Sequence, residues 1–255
     1  MAYRRTPLAL GETYHCYSRG IDRRITFQDE ADYERFLQAL YICNDVASFS
    51  QKHLSEIDYR TVLNLDRGKP LVSIIAYCLM PNHYHLVLRE VTEGGITRFM
   101  HKVGTMYTMY FNAKNERIGG LFVKPFRSKH IDDDSYLQRL VPYVHLNPAE
   151  LFEPGWKDGR VVDRPGLSTK LKNYRYSSLP EYDGSQRLES RILDGPVIGN
   201  HCIPGDCCID NFLVLCLVLA GQLLCHPSIL ARKAPPDSDV RRERVAEGNC
   251  HRQCA

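Results

Sequence analysis

The chain has 255 residues, of which 44% are hydrophobic and 25% are charged, and it contains 17 Gly and 14 Pro. This composition supplies enough apolar side chains for one folded core and excludes a disordered or a collagen-like chain. Because 33 Lys and Arg residues are balanced by 30 Asp and Glu, the net charge of +3 identifies no partner, and a binding surface must come from local clusters of charge.

In the first half of the chain, the spacing of apolar residues predicts both a helix and strands. Its helix, residues 31–46, has apolar and aromatic side chains at helical spacing and Asp29 as its N-cap. Residues 47–69 are expected to be a polar connector. Three strands are predicted, at residues 14–18, 71–77 and 83–88, the last two joined by a turn at residues 80–82.

The second half of the chain also alternates between predicted helices and strands. Residues 96–112 have one continuous apolar face and form the clearest helix, residues 121–131 suit a strand, and residues 135–146 suit a helix capped by the acidic residues 132–134. The order strand, helix, strand, strand, helix, strand, helix predicts an α+β fold. We expect a ferredoxin-like or RRM-like antiparallel sheet with helices on one face.

Two histidines stand in an otherwise apolar strand. His83 and His85 are two residues apart, so both imidazoles project from the same face of a sheet, while Tyr84 projects from the other. Such a pair can bind one divalent metal ion. The alternative is that the two rings only pack or form hydrogen bonds at the sheet surface.

A tyrosine and an asparagine lie one helical turn apart near the end of the last predicted helix. Tyr143 and Asn147 fall on a face beside the apolar stripe, between Pro142 and Pro148. A single tyrosine at a helix edge is usually part of the rim of a core. His145, one step further round the helix than Val144, is turned away from both residues and is interpreted as a bystander.

Together these segments carry a family resemblance. Residues 76–88 read AYCLMPNHYHLVL and residues 143–148 read YVHLNP, which resembles the HUH single-strand transposases with one catalytic tyrosine. The outer segments are similar to the branch called REP-associated tyrosine transposases. These segments are YSRG at 17–20, GLF at 120–122, FRSK at 126–129 and YSS at 176–178.

The resemblance implies the HUH endonuclease fold, a mechanism and a set of roles. Tyr143 would attack a phosphodiester of single-stranded DNA to give a 5′-phosphotyrosine and a free 3′-hydroxyl, at hairpin-forming repeats. His83, His85 and Asn147 would hold Mg²⁺ or Mn²⁺, with Asn147 at the position where related enzymes place a Gln. Members of the family act as monomers or as homodimers. A prokaryotic, nucleoid-associated location follows from the same resemblance.

Basic residues cluster in two regions where DNA is expected to bind. One surrounds the first strand and the other spans residues 114–129, where aromatic rings are interleaved with positive charge. Phosphate contacts and base stacking on such a surface are typical of single-strand binding, although a solvated strand with core aromatics has the same pattern. The predicted DNA-binding residues are Arg19, Arg23, Arg24, Lys124, Phe126, Arg127 and Lys129.

The last part of the chain has a different composition. Seven of the 10 cysteines lie after residue 201, which divides the chain into a catalytic domain at 1–197 and a poorly defined Cys-rich tail at 198–255. The tail lacks the C-x2-C spacing of a zinc knuckle, and its apolar run at 212–225 is short for a membrane span. With no secretory signal at the N-terminus, we expect a cytoplasmic protein that does not bind membranes.

Two other functions remain open at this point. The chain could be a hairpin-binding regulator or an inactivated transposase that does not cut DNA. It could also be a zinc hydrolase in which His83 and His85 activate a water molecule, without a covalent protein intermediate.

Overall fold

A computed structural model describes residues 7–47 and 58–194. The strands are β1 (Thr13–Arg19), β2 (Val72–Met80), β3 (His83–Glu90) and β4 (Arg127–Ile131). The helices are α1 (Glu30–Ile42), α2 (Tyr59–Asn64), α3 (Gly95–Lys114), α4 (Asp134–Leu146), α5 (Ala149–Phe152), α6 (Arg164–Lys172) and α7 (Leu179–Tyr182). Short 3-10 turns occur at Ile21–Arg23, Trp156–Asp158 and Leu188–Ile192.

The four strands form one antiparallel sheet in the order β2-β3-β1-β4. With α1 between β1 and β2 and α3 between β3 and β4, this is the β-α-β-β-α-β arrangement of ferredoxin-like folds. The α+β class and the antiparallel sheet predicted from the sequence are therefore confirmed. The two central strands, β1 and β3, carry the His pair and its neighbours.

Helices cover both faces of the sheet. Tyr14, Cys16, Leu86 and Leu88 project from one face into a core shared with α1 and α3. Val87 and the residues in register with it project from the other face, against α4. The prediction of helices on one face thus holds for α1 and α3, whereas α4 packs on the opposite face. Its own apolar stripe requires a second buried surface, which the sheet supplies.

A bulge in β2 helps to make that second surface. The register between β2 and β3 shifts between Ile74 and Ala76, so Ile75 and Ala76, although consecutive, both pack on the α4 side. Without this extra residue one of the two side chains would face α1 and α3.

Two helix caps were predicted correctly. The Asp29 carboxylate accepts a hydrogen bond from the Asp32 amide at the start of α1, and the Asp133 carboxylate accepts one from the Tyr136 amide at the start of α4. Helix α1 ends at Ile42, four residues before the predicted end. There the Asn44 side chain bonds the backbone of Leu71 and Val72 instead of continuing the helix.

Two predicted segments differ from the structure. The expected connector contains α2, where the Asp58 side chain caps the first turn and Val62 and Leu63 are buried. The expected strand at 121–131 is β4 only from Arg127 onward. Pro125 has no amide hydrogen to donate to a ladder, and the chain before it pairs with the end of β1 through a bridge between Gly20 and Phe122.

The segment after α6 lies along the outer edge of β2. The Leu79 amide donates to the Tyr176 carbonyl at 2.9 Å, and the Ser178 amide donates to the Tyr77 carbonyl at 3.0 Å. Within the described ranges, Cys16, Cys43 and Cys78 are buried and form no disulfide. The predicted Cys-rich tail lies outside the described residues. Within 7–47 and 58–194, no helix has the length and apolar character to cross a membrane.

Candidate active site

The two histidines of β3 lie side by side on the face of the sheet that α4 covers. Their ring centroids are 5.1 Å apart and the rings are nearly perpendicular. His83 is paired in register with Arg19, and His85 with Tyr17, so these four side chains share one face. The sequence prediction that both imidazoles project from one face is therefore confirmed.

Helix α4 brings Tyr143 to the same place. The Tyr143 ring centroid lies 6.2 Å from that of His85, with the ring planes at 82°. Val141 and Val144 fix the helix against the sheet and leave the tyrosine half-buried beside the His pair. Burial raises the pKa of Tyr143, and the nearby Tyr17 raises it further, so the phenol is protonated at neutral pH. A proton must leave it before it can act as a nucleophile.

Asn147 ends α4 one turn after Tyr143. Its side-chain amide donates to the Tyr143 carbonyl at 2.9 Å and to the Val144 carbonyl at 3.3 Å, and the residue is buried. These contacts cap the helix and use both amide hydrogens on its backbone. The side-chain oxygen is the atom that remains suited to binding a hard cation.

His145 points to another part of the molecule. Its Nε2 lies 2.8 Å from the Ser178 hydroxyl, and its ring packs against Tyr182. This agrees with the interpretation of His145 as a bystander of the chemistry and gives it a structural contact instead.

Each histidine of the pair has a partner on its Nδ1 atom. His83 Nδ1 lies 2.7 Å from the Asn82 side-chain oxygen, and His85 Nδ1 lies 2.8 Å from Nε2 of His15, a buried residue of β1. Sequence reasoning missed His15. The alternation of β1 puts His15 on the same face as Tyr17, but only the register of β1 against β3 shows which residue it meets.

Burial keeps all three imidazoles neutral. It lowers the pKa of His83 to about 4 and that of His15 to about 3, and it lowers the pKa of His85 well below its ordinary value. Arg19 and Lys157 lower the pKa of His83 further, which places two positive charges close to the pair. Lys157 was not predicted, because it lies in a short turn with no motif to mark it.

The side chains of the predicted metal set carry donor atoms that divalent metals accept. Across residues 7–47 and 58–194, no group of three or more His, Cys, Asp or Glu side chains converges on one point. The predicted set instead combines two neutral imidazoles with an amide oxygen, so water and substrate oxygens would complete the coordination. Since Nδ1 of each ring is engaged, Nε2 is the ring nitrogen left to bind a metal.

Three of the predicted DNA-binding residues lie on the same face as the His pair. Arg19 is in register with His83, while Arg127 and Lys129 of β4 are in register with Tyr17 and His15. Arg19 and Arg127 are exposed, and the Lys129 ammonium lies 4.5 Å from the centre of the Tyr136 ring on α4. A positively charged border therefore runs beside the two histidines.

The remaining four lie around this face or behind it. Arg23 and Arg24 are exposed in the loop after β1, which is held next to the His pair by amide hydrogen bonds from Thr26 and Phe27 to the Pro81 carbonyl. Lys124 is exposed in the loop before β4. Phe126 is half-buried and packs against the core of α1 and α3, on the side of the sheet opposite the His pair.

Known proteins resemble the chain to different degrees. No curated protein matches the chain. A solved structure described as a REP-associated tyrosine transposase bound to a REP hairpin aligns with 14% identity and a TM-score of 0.45, covering 74% of this chain and 90% of that one. The family model for IS200-like transposases matches residues 13–147, which extends from β1 to Asn147 and includes both histidines and Tyr143. Since this match spans more than half of the 255 residues, the chain belongs to the IS200-like transposase family.

Proposed function

We propose that this transposase cleaves and rejoins single-stranded DNA at hairpin-forming repeats, with Tyr143 as nucleophile and Mg²⁺ or Mn²⁺ held by His83, His85 and Asn147. The observation that carries the proposal is the 6.2 Å separation between the Tyr143 and His85 rings within one chain. It supports an active site assembled in cis, in which a monomer contains every reacting group.

Cleavage transfers a phosphoryl group from the 3′-oxygen of the DNA backbone to Tyr143. The Tyr143 oxygen attacks a backbone phosphorus, a Tyr143–phosphate bond forms, and the bond from phosphorus to the 3′-oxygen breaks. The phenol loses its proton and the departing 3′-oxygen gains one, so the products are a 5′-phosphotyrosine and a 3′-hydroxyl. Attack by another 3′-hydroxyl reverses these changes and rejoins the strand. The covalent link conserves the bond energy needed for rejoining.

The metal would neutralise charge that develops on the phosphoryl oxygens and would polarise the phosphorus. The chain's own residues orient the reactants. Helix α4 holds the phenol beside the imidazoles, and its C-terminal cap, Asn147, fixes the last turn. Arg19 and Lys157, whose positive charges lower the pKa of His83, would bind the phosphates of the DNA strand.

Arg127 and Lys129 extend the same positive border and would contact flanking nucleotides. The hairpin component of the proposal is supported by the resemblance of residues 17–20, 120–122, 126–129 and 176–178 to REP-associated transposases. A REP hairpin, the DNA bound in the solved structure named above, is therefore the first substrate to test.

The test is the formation of a covalent protein–DNA adduct. Purified protein is incubated with a labelled REP hairpin carrying single-stranded flanks, with Mg²⁺, with Mn²⁺ or with EDTA, and the products are separated under denaturing conditions. We expect an adduct with either metal and none with EDTA. Tyr143→Phe should abolish it, whereas Tyr110→Phe, a change to a half-buried tyrosine of α3, should not.

Each failure has a distinct meaning. An adduct that survives in Tyr143→Phe would refute the choice of nucleophile. Cleavage that is metal-dependent but leaves no adduct would favour a hydrolase in which metal at His83 and His85 activates a water molecule. Specific hairpin binding without any cleavage in either metal would favour the regulator or the inactivated transposase.

A further inference from the structure

We propose that His15 is a positioning residue, which fixes the orientation and the proton of His85 so that Nε2 of His85 is free to bind the metal. The inference rests on the proposed metal site at His83 and His85. It assigns a role to a third buried histidine that no sequence motif marks.

The geometry between the two rings is that of an in-plane hydrogen bond. Nε2 of His15 and Nδ1 of His85 are 2.8 Å apart, the ring centroids are 5.0 Å apart, and the planes differ by only 22°. Two nitrogen atoms at this distance share one proton, so one donates and the other accepts. Because the two nitrogen atoms point at each other along this hydrogen bond, they cannot both direct a lone pair at one metal ion.

The contact of the neighbouring histidine, His83, fixes the position of its own proton. Nδ1 of His83 contacts the side-chain oxygen of Asn82 at 2.7 Å, and an amide oxygen can only accept. His83 therefore carries its proton on Nδ1 and has a lone pair on Nε2. For His85 to match it as a ligand, its Nδ1 must donate to Nε2 of His15.

The surroundings of His15 hold its ring in place. The residue is 7% exposed, and its ring packs against Tyr17 with the centroids 5.0 Å apart. Its β1 position is in register with Val87 and Lys129, so backbone pairing on both sides fixes the strand that carries it. Metal-bound histidines commonly donate their second N–H to such a partner, and losing the partner typically weakens metal affinity about 10- to 100-fold.

The experiment measures metal binding without DNA. Mn²⁺ is titrated into the full-length, metal-free protein and the free ion is followed by EPR, for the wild type and for His15→Phe, His15→Gln and His85→Ala. We expect His85→Ala to lose the site and His15→Phe to bind about 10- to 100-fold more weakly. His15→Gln, whose side-chain oxygen can accept the same hydrogen bond, should restore most of the affinity. His101→Phe, a change to an exposed histidine of α3, controls for surface binding.

A second readout does not depend on the variants folding. Long-range ¹H–¹⁵N NMR correlations on the metal-free wild type distinguish the two neutral forms of His85, and we expect the proton on Nδ1. A proton on Nε2, or equal Mn²⁺ affinity in wild type and a folded His15→Phe, would overturn the role of His15 while leaving the metal site intact. If the wild type binds Mn²⁺ no better than His85→Ala, the proposed metal site itself fails, and the role of His15 fails with it.

Discussion

Replacing Ser178 with Ala should destabilise the protein far more than the loss of one exposed hydroxyl would. The Ser178 side-chain oxygen accepts a hydrogen bond from the Tyr77 amide at 2.9 Å and lies 2.8 Å from Nε2 of His145. All three residues are at most 4% exposed. The hydroxyl thus joins the edge of β2, helix α4 and the segment that follows α6.

The expected cost follows from the groups left without partners. In Ser178→Ala the Tyr77 amide and Nε2 of His145 are both buried and unpaired, and each such group costs about 1–3 kcal/mol. We expect a loss of about 3 kcal/mol or more in the free energy of unfolding. For a domain of this size that corresponds to a fall in Tm of about 6–12 °C.

The matched control is the neighbouring serine. Ser177 is equally buried, but its hydroxyl makes only long contacts, 3.4 Å to the Tyr174 carbonyl and 3.3 Å to the Leu179 amide. Thermal and urea unfolding of both variants, followed by circular dichroism, should show a clearly larger loss for Ser178→Ala. Equal losses in the two variants would refute the reasoning. Adduct formation should also fall in Ser178→Ala, because α4 carries Tyr143.

Three further predictions concern DNA binding, a loop and pH. Arg127→Ala should lower the slope of log affinity against log salt for single-stranded DNA by about 0.7, measured by fluorescence anisotropy. Arg98→Ala, a change to an exposed arginine of α3, should leave that slope unchanged. The same slope in both variants would contradict DNA binding at the positively charged border. Gly20→Ala should weaken DNA binding and lower Tm, because the added Cβ would lie 2.4 Å from a backbone oxygen. Gly104→Ala, whose added Cβ would have no atom of the described residues outside α3 within 4 Å, should raise Tm. A higher Tm for Gly20→Ala than for Gly104→Ala would contradict this prediction. Burial lowers the pKa of His145 to about 3, so between pH 6.5 and 3 the unfolded chain binds a proton that the native chain does not. The free energy of unfolding of metal-free protein should therefore fall as pH falls through this range, by about 1.4 kcal/mol per pH unit for this histidine, and a level profile from pH 7 to 5 would contradict it.

Much of the fold could be predicted because local patterns and long-range packing agree. The alternation around His83 and His85 and the continuous apolar face at 96–112 each follow from one periodicity, and the structure has a strand and a helix there. The caps at Asp29 and Asp133 follow from side-chain chemistry within one turn. In these segments nothing distant competes with the local preference.

The misses have a common physical origin in contacts between distant parts of the chain. Helix α2 is short and buries only two side chains, so its pattern is too brief to read. Part of the surface that α4 covers comes from the bulge between Ile74 and Ala76, which has no sequence signature. His15 and Lys157 join the site through strand register and a turn, and neither is marked by spacing from the HxH pair.

The central claim is that Tyr143 works with the His pair of its own chain. Its most direct test mixes Tyr143→Phe protein with His85→Ala protein in equal amounts and measures adduct formation on the REP hairpin, beside the wild type. A site assembled in cis predicts an adduct for the wild type and none for the mixture, because each variant chain lacks one half of its only site. An adduct on the His85→Ala chain in the mixture would contradict the claim, since its tyrosine could then have reacted only at a partner's histidines.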